Sequence, residues 1–204
     1  MNRRSFLLTS GALSLPLAFP KLIEATVACG PFVPPGVQTC EAGIDSTVAG
    51  VTAASVGGQH QSEWCWAACI ETVFRYYVHA VPQERIVQET WGQIVNMPGQ
   101  PLQIVQDLNR KWTDNDGDDF RVEGDVLTAN VLTAAQDLSQ NMPLIIGTMG
   151  HAMMLTSLRY VRDSFGNGRV TAAIVRDPWP GRGKRMLSAQ EWFGANFLVR
   201  IRVS

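Results

Sequence analysis

The clearest hydrophobic pattern of this chain lies between residues 64 and 79. Its apolar positions recur at helical spacing and are Trp66, Ile70, Val73, Phe74 and Tyr77. Charged side chains of the same segment, Glu71 and Arg75, fall on the opposite side. A repeat every three or four residues indicates a helix with one buried face. We therefore predict a long amphipathic helix at the centre of the fold.

Shorter helices are predicted on both sides of the middle of the chain. They run from Pro82 to about Trp91, from about Leu102 to Trp112 and from about Ala129 to Gln140. Proline suits the first helical position, and Thr128 is a suitable cap for the third of these helices. A last short helix is expected from Ser188 to Phe193.

The second half of the chain changes to a strand pattern. Residues 143–148 (PLIIGT) form a short apolar run, and residues 152–160 and 169–176 flank the turn-rich segment DSFGNG. Two such runs around a turn predict a hairpin. Residues 197–203 are expected to close the sheet. Helices first and an antiparallel sheet second indicate the α+β class.

The first 58 residues differ from the rest. Arg3 and Arg4 precede an apolar run that is too short to cross a bilayer comfortably, which is typical of an export signal. The stretch RRSFLL resembles a twin-arginine signal. We predict an export signal over 1–28, an extended arm over 29–58 and one domain over 59–204. The mature protein is then periplasmic or secreted, with no membrane span.

Composition limits the classes of partner. The chain has 204 residues, 46% of them hydrophobic and 17% charged, with a formal net charge of −1. This fits one globular domain and offers no basic surface for nucleic acid. The acidic loop 113–119 alternates aspartates as a calcium loop does. However, Asp119 stands where such a loop needs glycine, so we assign no metal and no cofactor.

Four cysteines are present, and export implies a compartment in which disulfides persist. Cys29 and Cys40 lie in the predicted arm and can bridge one another. The tetrapeptide ending at Cys29 (TVAC) is close to a lipoprotein cleavage box, so lipidation of Cys29 is an alternative. Cys65 and Cys69 fall on successive turns of the predicted long helix and are treated separately.

Cys65 is the candidate nucleophile. It lies in the stretch QHQSEWCWAAC, at the junction between a loop and the long helix. Unsatisfied N–H groups and the helix dipole at such a junction stabilise a thiolate, which is the reactive form of cysteine. Gln59, six residues earlier, is the candidate oxyanion donor together with the Cys65 N–H, and Gln61 is the alternative.

This stretch resembles the nucleophile motif of the papain-like cysteine proteases. Its WCWAAC core is most similar to the compact bacterial branch, which includes a secreted avirulence protease and is related to leader peptidases that cut after double glycine. The resemblance implies a papain-like fold. Its N-terminal helical half would carry the nucleophile helix, and its C-terminal antiparallel sheet would carry the histidine and aspartate.

His151 is the candidate base. His60 is too close to Cys65 along the backbone, and His79 lies fourteen residues down the helix, about 21 Å away. His151 follows a glycine between two predicted strands, where it is able to reach a cysteine at a helix start. The resemblance implies the same role, because the family has its catalytic histidine in such a Gly-His segment.

Asp177 is the candidate residue for orienting the histidine. It ends the predicted hairpin in the sequence VRDPWPG, and Trp179 can cover the pair. The family resemblance agrees, since a turn of this kind carries the acidic member there. Asn167 and Asn196 are weaker candidates, and a purely structural Asp-Pro turn is the simpler alternative.

These residues predict a peptidase that cleaves peptide or isopeptide bonds through a thioester. The same groups serve deamidation, transglutamination or acyl transfer, which differ only in the acceptor. A zinc or redox module using Cys65 and Cys69, and an inactive binding module, are the non-enzymatic alternatives. The substrate and the oligomeric state do not follow from the sequence.

Overall fold

The computed structural model describes residues 27–127 and 130–204 of the chain. Almost all of the predicted export signal, residues 1–26, lies outside the described residues, as do Thr128 and Ala129.

The described residues form a mixed fold of helices and one antiparallel sheet. The helices are α1 (Ser46–Val56), α2 (Cys65–Tyr76), α3 (Gln83–Trp91), α4 (Pro101–Leu108), α5 (Val131–Ser139) and α6 (Ala189–Phe193). The strands are β1 (Ala28–Cys29), β2 (Val37–Gly43), β3 (Lys111–Thr113), β4 (Asp119–Leu127), β5 (Leu144–Thr148), β6 (His151–Asp163), β7 (Gly168–Asp177), β8 (Gly183–Met186) and β9 (Ala195–Val203). The predicted α+β class is therefore correct.

Strand β6 organises the sheet because it pairs with three others. The main path runs β1-β2-β6-β5-β9-β4-β3, and β7 pairs with β6 and with β8. The start of β6 pairs with β5 and its end with β2, while β7 lies along its other edge. One long strand thereby joins the first and last parts of the chain.

Helix α2 is the central helix predicted from the apolar pattern, although Glu71, which was expected on its polar side, is buried. Ten of its residues are buried, and it packs against β6. Phe74 contacts the rings of Trp112 and Phe120 edge-on, with centroids 5.4 and 5.2 Å apart. Each large apolar side chain buried in this way contributes about 2 kcal/mol to folding.

The segment predicted as an extended arm, residues 29–58, is instead part of the domain. Strand β2 pairs with β6, and its residues Cys40 and Ala42 are buried. Helix α1 is capped by Asp45, whose side chain accepts from the backbone N–H groups of Thr47 and Val48. The prediction was wrong because β2 gains its partner from a strand that follows more than a hundred residues later.

Four further features differ from the predictions. Helix α4 ends at Leu108, and Trp112 belongs to β3. Strand β4 was not predicted, although its buried residues alternate as a sheet with one covered face requires. Helix α5 is capped by Asn130, which accepts from two backbone N–H groups, and the predicted cap Thr128 lies outside the described residues. Strand β8 was also missed, because its four residues carry no apolar pattern.

The C-terminal elements agree with the predictions. The runs around DSFGNG form the hairpin of β6 and β7. Ser188 and Glu191 form a capping box at the start of α6, and β9 closes the sheet between β5 and β4. The acidic loop is a turn in which Asp114 accepts from the N–H groups of Asp116 and Asp118.

The four cysteines divide as a disulfide and two thiols. Cys29 and Cys40 are bonded to each other, as expected for the first pair. Cys65 and Cys69 are free thiols. Among residues 27–127 and 130–204, no helix has the length and apolarity to cross a bilayer, and no group of three metal-ligating side chains occurs.

Gly147 in β5 allows the ring of Phe197 in β9 to lie against the strand. A Cβ atom at this residue would overlap three atoms of that ring. We expect Gly147→Ala to lower the free energy of unfolding by about 1–3 kcal/mol, as overpacked cores do. Chemical denaturation checks this. Gly124→Ala, whose Cβ would meet neighbours at 3.5 Å or more, is the matched control and is expected to cost much less.

Candidate active site

Cys65 is the first residue of α2, directly after the cap residue Trp64. No side chain caps this helix start. The N–H groups of the first turn point along the helix axis toward the space in front of it. The indole N–H groups of Trp64 and Trp66 donate to the carbonyl oxygens of Val95 and Met97, at 2.8 and 3.1 Å. These bonds fix the helix start against the loop that leads to α4.

His151 is the first residue of β6. It follows a two-residue turn in which Met149 and Gly150 have φ values of 51° and 78°. Two positive φ values match the twist of a tight hairpin. The turn connects β5 to β6, where Thr148 pairs with His151. The histidine ring is therefore presented at the edge of the sheet by a rigid hairpin.

Asp177 lies at the end of β7 beside this histidine. Its Oδ1 is 2.7 Å from His151 Nε2, and its side chain is completely buried. It also accepts from the N–H of Trp179 at 2.9 Å and from Arg185 Nε at 2.8 Å. Burial alone would raise the pKa of this carboxyl, but these hydrogen bonds hold it well below its usual range. Asp177 is therefore an anion at neutral pH.

The three predicted residues Cys65, His151 and Asp177 come together. Cys65 and His151 line the same cavity, and Trp179 lies edge-on to the His151 ring with centroids 6.2 Å apart. Burial lowers the pKa of His151. Hydrogen bonds to Asp177 and then Cys65, with the charges of both, overcome that effect and raise the pKa to about 9. This arrangement favours an imidazolium beside the sulfur.

Gln59 does not line the cavity that Cys65 and His151 share. Its Nε2 donates to the carbonyl oxygens of Gln61 and Ser62, at 2.9 and 2.8 Å, so both amide hydrogens are used within the loop. Its Oε1 is buried without a partner, and Gln59 is absent from the cavity lining. The predicted oxyanion donor therefore holds the loop before Cys65 in this geometry. Gln61 is exposed.

The other predicted alternatives are placed as follows. Nδ1 of His60 lies 2.7 Å from Glu84, and Nδ1 of His79 lies 2.9 Å from Asp114. The side chain of Asn167 bonds to Asp163 in the hairpin turn. Asn196 does line the cavity, although Asp177 occupies the position beside His151.

Arg185 and Glu191 were missed by the sequence analysis. Arg185 bonds Asp177 and also forms two hydrogen bonds with Glu191, at 2.6 and 3.1 Å. The hydrogen bond from Arg185 is the main reason that the pKa of Glu191 falls to about 2. The sequence signal that could have indicated Glu191 is the Ser-x-x-Glu cap of α6. Nothing there marked Arg185, because β8 was not predicted.

The cavity in front of Cys65 has a volume of about 620 Å³. Its lining includes the polar residues His151, Arg185 and Glu191 and apolar residues such as Ile104 and Phe197. A cavity of this size and mixed character is typical of a site for a small molecule or a short peptide segment.

Comparison with known proteins does not show a family for this chain. No protein-family model matches the chain, and no curated protein matches it. One solved structure with similarity is described as the crystal structure of UfSP from C. elegans. It shares 14% identity, with a TM-score of 0.46 over 87% of this chain, and the chain spans 37% of the length of that structure.

The environments of the two thiols predict different reactivity. Cys69 is buried, and burial is the first cause that raises the pKa of its thiol well above the usual value, followed by the charges of Cys65 and Asp177. Cys65 faces the cavity beside His151. We expect iodoacetamide to alkylate Cys65 at least about tenfold faster than Cys69 at pH 7. A mass-spectrometric time course measures this, and equal rates would contradict it.

The raised pKa of His151 predicts a pH-dependent stability. The unfolded histidine titrates near 6.5 and the folded one at about 9, so the folded state binds this proton more tightly. The stabilisation is complete below pH 6.5 and disappears as the pH rises through 9. We expect a loss of up to about 3 kcal/mol over this window, measured by urea denaturation. His151→Gln should lose much less, and parallel curves for the two proteins would contradict the assignment.

Proposed function

We propose that this chain is a cysteine peptidase of the papain-like type, which hydrolyses peptide or isopeptide bonds through a thioester. The observation that carries the proposal is the shared cavity of Cys65 and His151, with His151 held at 2.7 Å by the buried Asp177. The similarity of the WCWAAC motif to the compact bacterial branch adds to it. Export is part of the proposal and is supported by the disulfide between Cys29 and Cys40.

The first chemical step uses the pair of Cys65 and His151. With its Nε2 occupied by Asp177, the imidazolium has its Nδ1 for the sulfur side. The thiolate attacks the carbonyl carbon of the scissile bond, which forms a C–S bond and an oxyanion. Backbone N–H groups at the start of α2, that of Cys65 first, are the donors available to this oxygen. Such donors are worth about 3–4 kcal/mol each in other enzymes.

The second step releases the two products in turn. The intermediate collapses, the C–N bond breaks, and His151 gives its proton to the departing amine. Water then attacks the thioester while His151 takes a proton from it, and the acid leaves as Cys65 regains its thiolate. Throughout, Asp177 keeps the imidazole in one tautomer and one orientation, as the third member of a triad does.

Profiling of new peptide ends tests the activity. A proteome incubated with the wild-type protein is expected to gain new amino termini that are absent with Cys65→Ala. His151→Ala should lower the cleavage rate by about 10²–10⁴-fold because it removes the acid and base, while far-UV circular dichroism stays unchanged.

The matched control is His60→Ala, since the His60 side chain is 45% exposed and is bonded to Glu84. This variant should cleave as the wild type does. Conversion of glutamine to glutamate without new termini would contradict hydrolysis of peptide bonds and favour the deamidase alternative. Stoichiometric zinc together with an unreactive Cys65 would contradict the enzyme proposal altogether.

A further inference from the structure

A second cavity of about 360 Å³ lies behind the turn that follows Asp177. It is bounded by α1 on one side and by the turn on the other. The lining residues that matter here are Gly57, Gly58, Arg176, Trp179, Gly181 and Arg182. Trp179 and Arg182 line the first cavity as well. The two cavities are therefore neighbours that share a wall.

Arg176 is a cation with few hydrogen-bond partners. Its Nη2 is 3.5 Å from the carbonyl oxygen of Ser46, which is a long hydrogen bond, and its Nε is buried without a partner. Within the described ranges, no carboxylate forms an ion pair with it. A guanidinium has five donors, and burial of unpaired ones is costly. An anionic group in this cavity would give the Nη groups of Arg176 a partner.

Arg182 supplies the second cation. Its side chain is 56% exposed, and its Nη1 lies 3.6 Å from Asp177 Oδ2, beyond the hydrogen-bond range. Asp177 is the only carboxylate residue lining this cavity in the part of the chain that the structure describes. Its side chain is fully buried and is bonded to His151, Arg185 and the Trp179 N–H. The lining is therefore cationic, with donors to spare.

The direction of the proposed reaction links this cavity to the substrate. His151 must give its proton to the departing amine, so the segment released as an amine passes on the side of the His151 ring. Trp179 is edge-on to that ring and lines both cavities, as Arg182 does. Near this ring, Arg182 lines both cavities and Arg176 lines the second one.

We propose that this cationic cavity is a leaving-side subsite, which binds a carboxylate located within a few residues after the scissile bond. The carboxylate belongs to an aspartate or glutamate side chain or to the C-terminus of the substrate. Arginine is suited to this task because its planar donors match a carboxylate in pairs. The inference rests on the proposed peptidase function and names the class of substrate for it.

Cleavage-site profiling with a peptide library derived from a proteome tests the subsite. The wild-type protein is expected to show enrichment of acidic residues, or of a nearby C-terminus, at one position on the leaving side. A synthetic peptide from that set should have kcat/KM about tenfold above its Glu→Gln counterpart, since a charge-assisted hydrogen bond is lost. The ratio should fall as the salt concentration rises.

Arg176→Met is expected to reduce the ratio of kcat/KM between the Glu peptide and its Gln counterpart toward one. Arg176→Lys is expected to restore part of this ratio. The matched control is Arg169→Met on the exposed part of the same strand, which should keep the wild-type ratio. Efficient cleavage without acidic enrichment would overturn the subsite while the peptidase stands. Equal ratios for Arg176→Met and Arg169→Met would do the same. If no peptide in the library is cleaved although Cys65 is alkylated, the peptidase proposal fails and the subsite fails with it. The ratio of the wild-type protein decides the question even if the variants do not fold.

Discussion

The hydrogen bond between His151 and the buried carboxylate of Asp177 is the interaction on which the candidate site depends. A buried carboxylate is unfavourable unless several donors satisfy it. Asp177 meets this condition with donors from His151, Trp179 and Arg185. Because each oxygen has a specific donor, the carboxylate has one position and the imidazole that it holds has one orientation. A group that faces Nδ1, on the other side of the ring, then meets the imidazole in one orientation.

The loop before α2 joins the helix that carries Cys65 to the turn that follows Asp177. The N–H of Gln59 donates to the carbonyl oxygen of Pro178 at 2.8 Å, directly after Asp177. Buried Gln83 donates to the carbonyl of Gly58 and accepts from the N–H of His60, and its amide also bonds buried Glu71 of α2. These contacts explain why Gln59 serves the loop here, since its amide hydrogens stabilise the same turn that its backbone ties to the sheet.

Charge around the site is arranged unevenly. Arg185 is shared between Asp177 and Glu191, so its charge is balanced by two carboxylates and it acts as a positioning residue for Asp177. Arg182 is exposed and lies 3.6 Å from Asp177, and Arg176 has no carboxylate partner among the described residues. One arginine with two carboxylate partners thus stands near two arginines that have donors left for a ligand. This contrast gives the second cavity a chemical character that its size alone would not.

The sequence by itself determined the elements whose signals are local. Helix α2 follows from its apolar repeat, the hairpin of β6 and β7 from its turn residues, and the candidates Cys65, His151 and Asp177 from the junctions at which they lie. The family resemblance pointed to the same three residues. Their meeting in space agrees with these expectations, while their catalytic roles remain proposals.

Only the tertiary structure decided the features that depend on distant partners. Strand β2 is a strand because β6 pairs with it, Arg185 belongs to the site because β8 lies beside β7, and Gln59 is occupied because two loop carbonyls fold back onto it. The cationic cavity likewise requires α1 to lie against the turn after Asp177. Pairing and burial of this kind arise between residues far apart in the chain, and the local pattern of hydrophobic and polar positions carries no record of them.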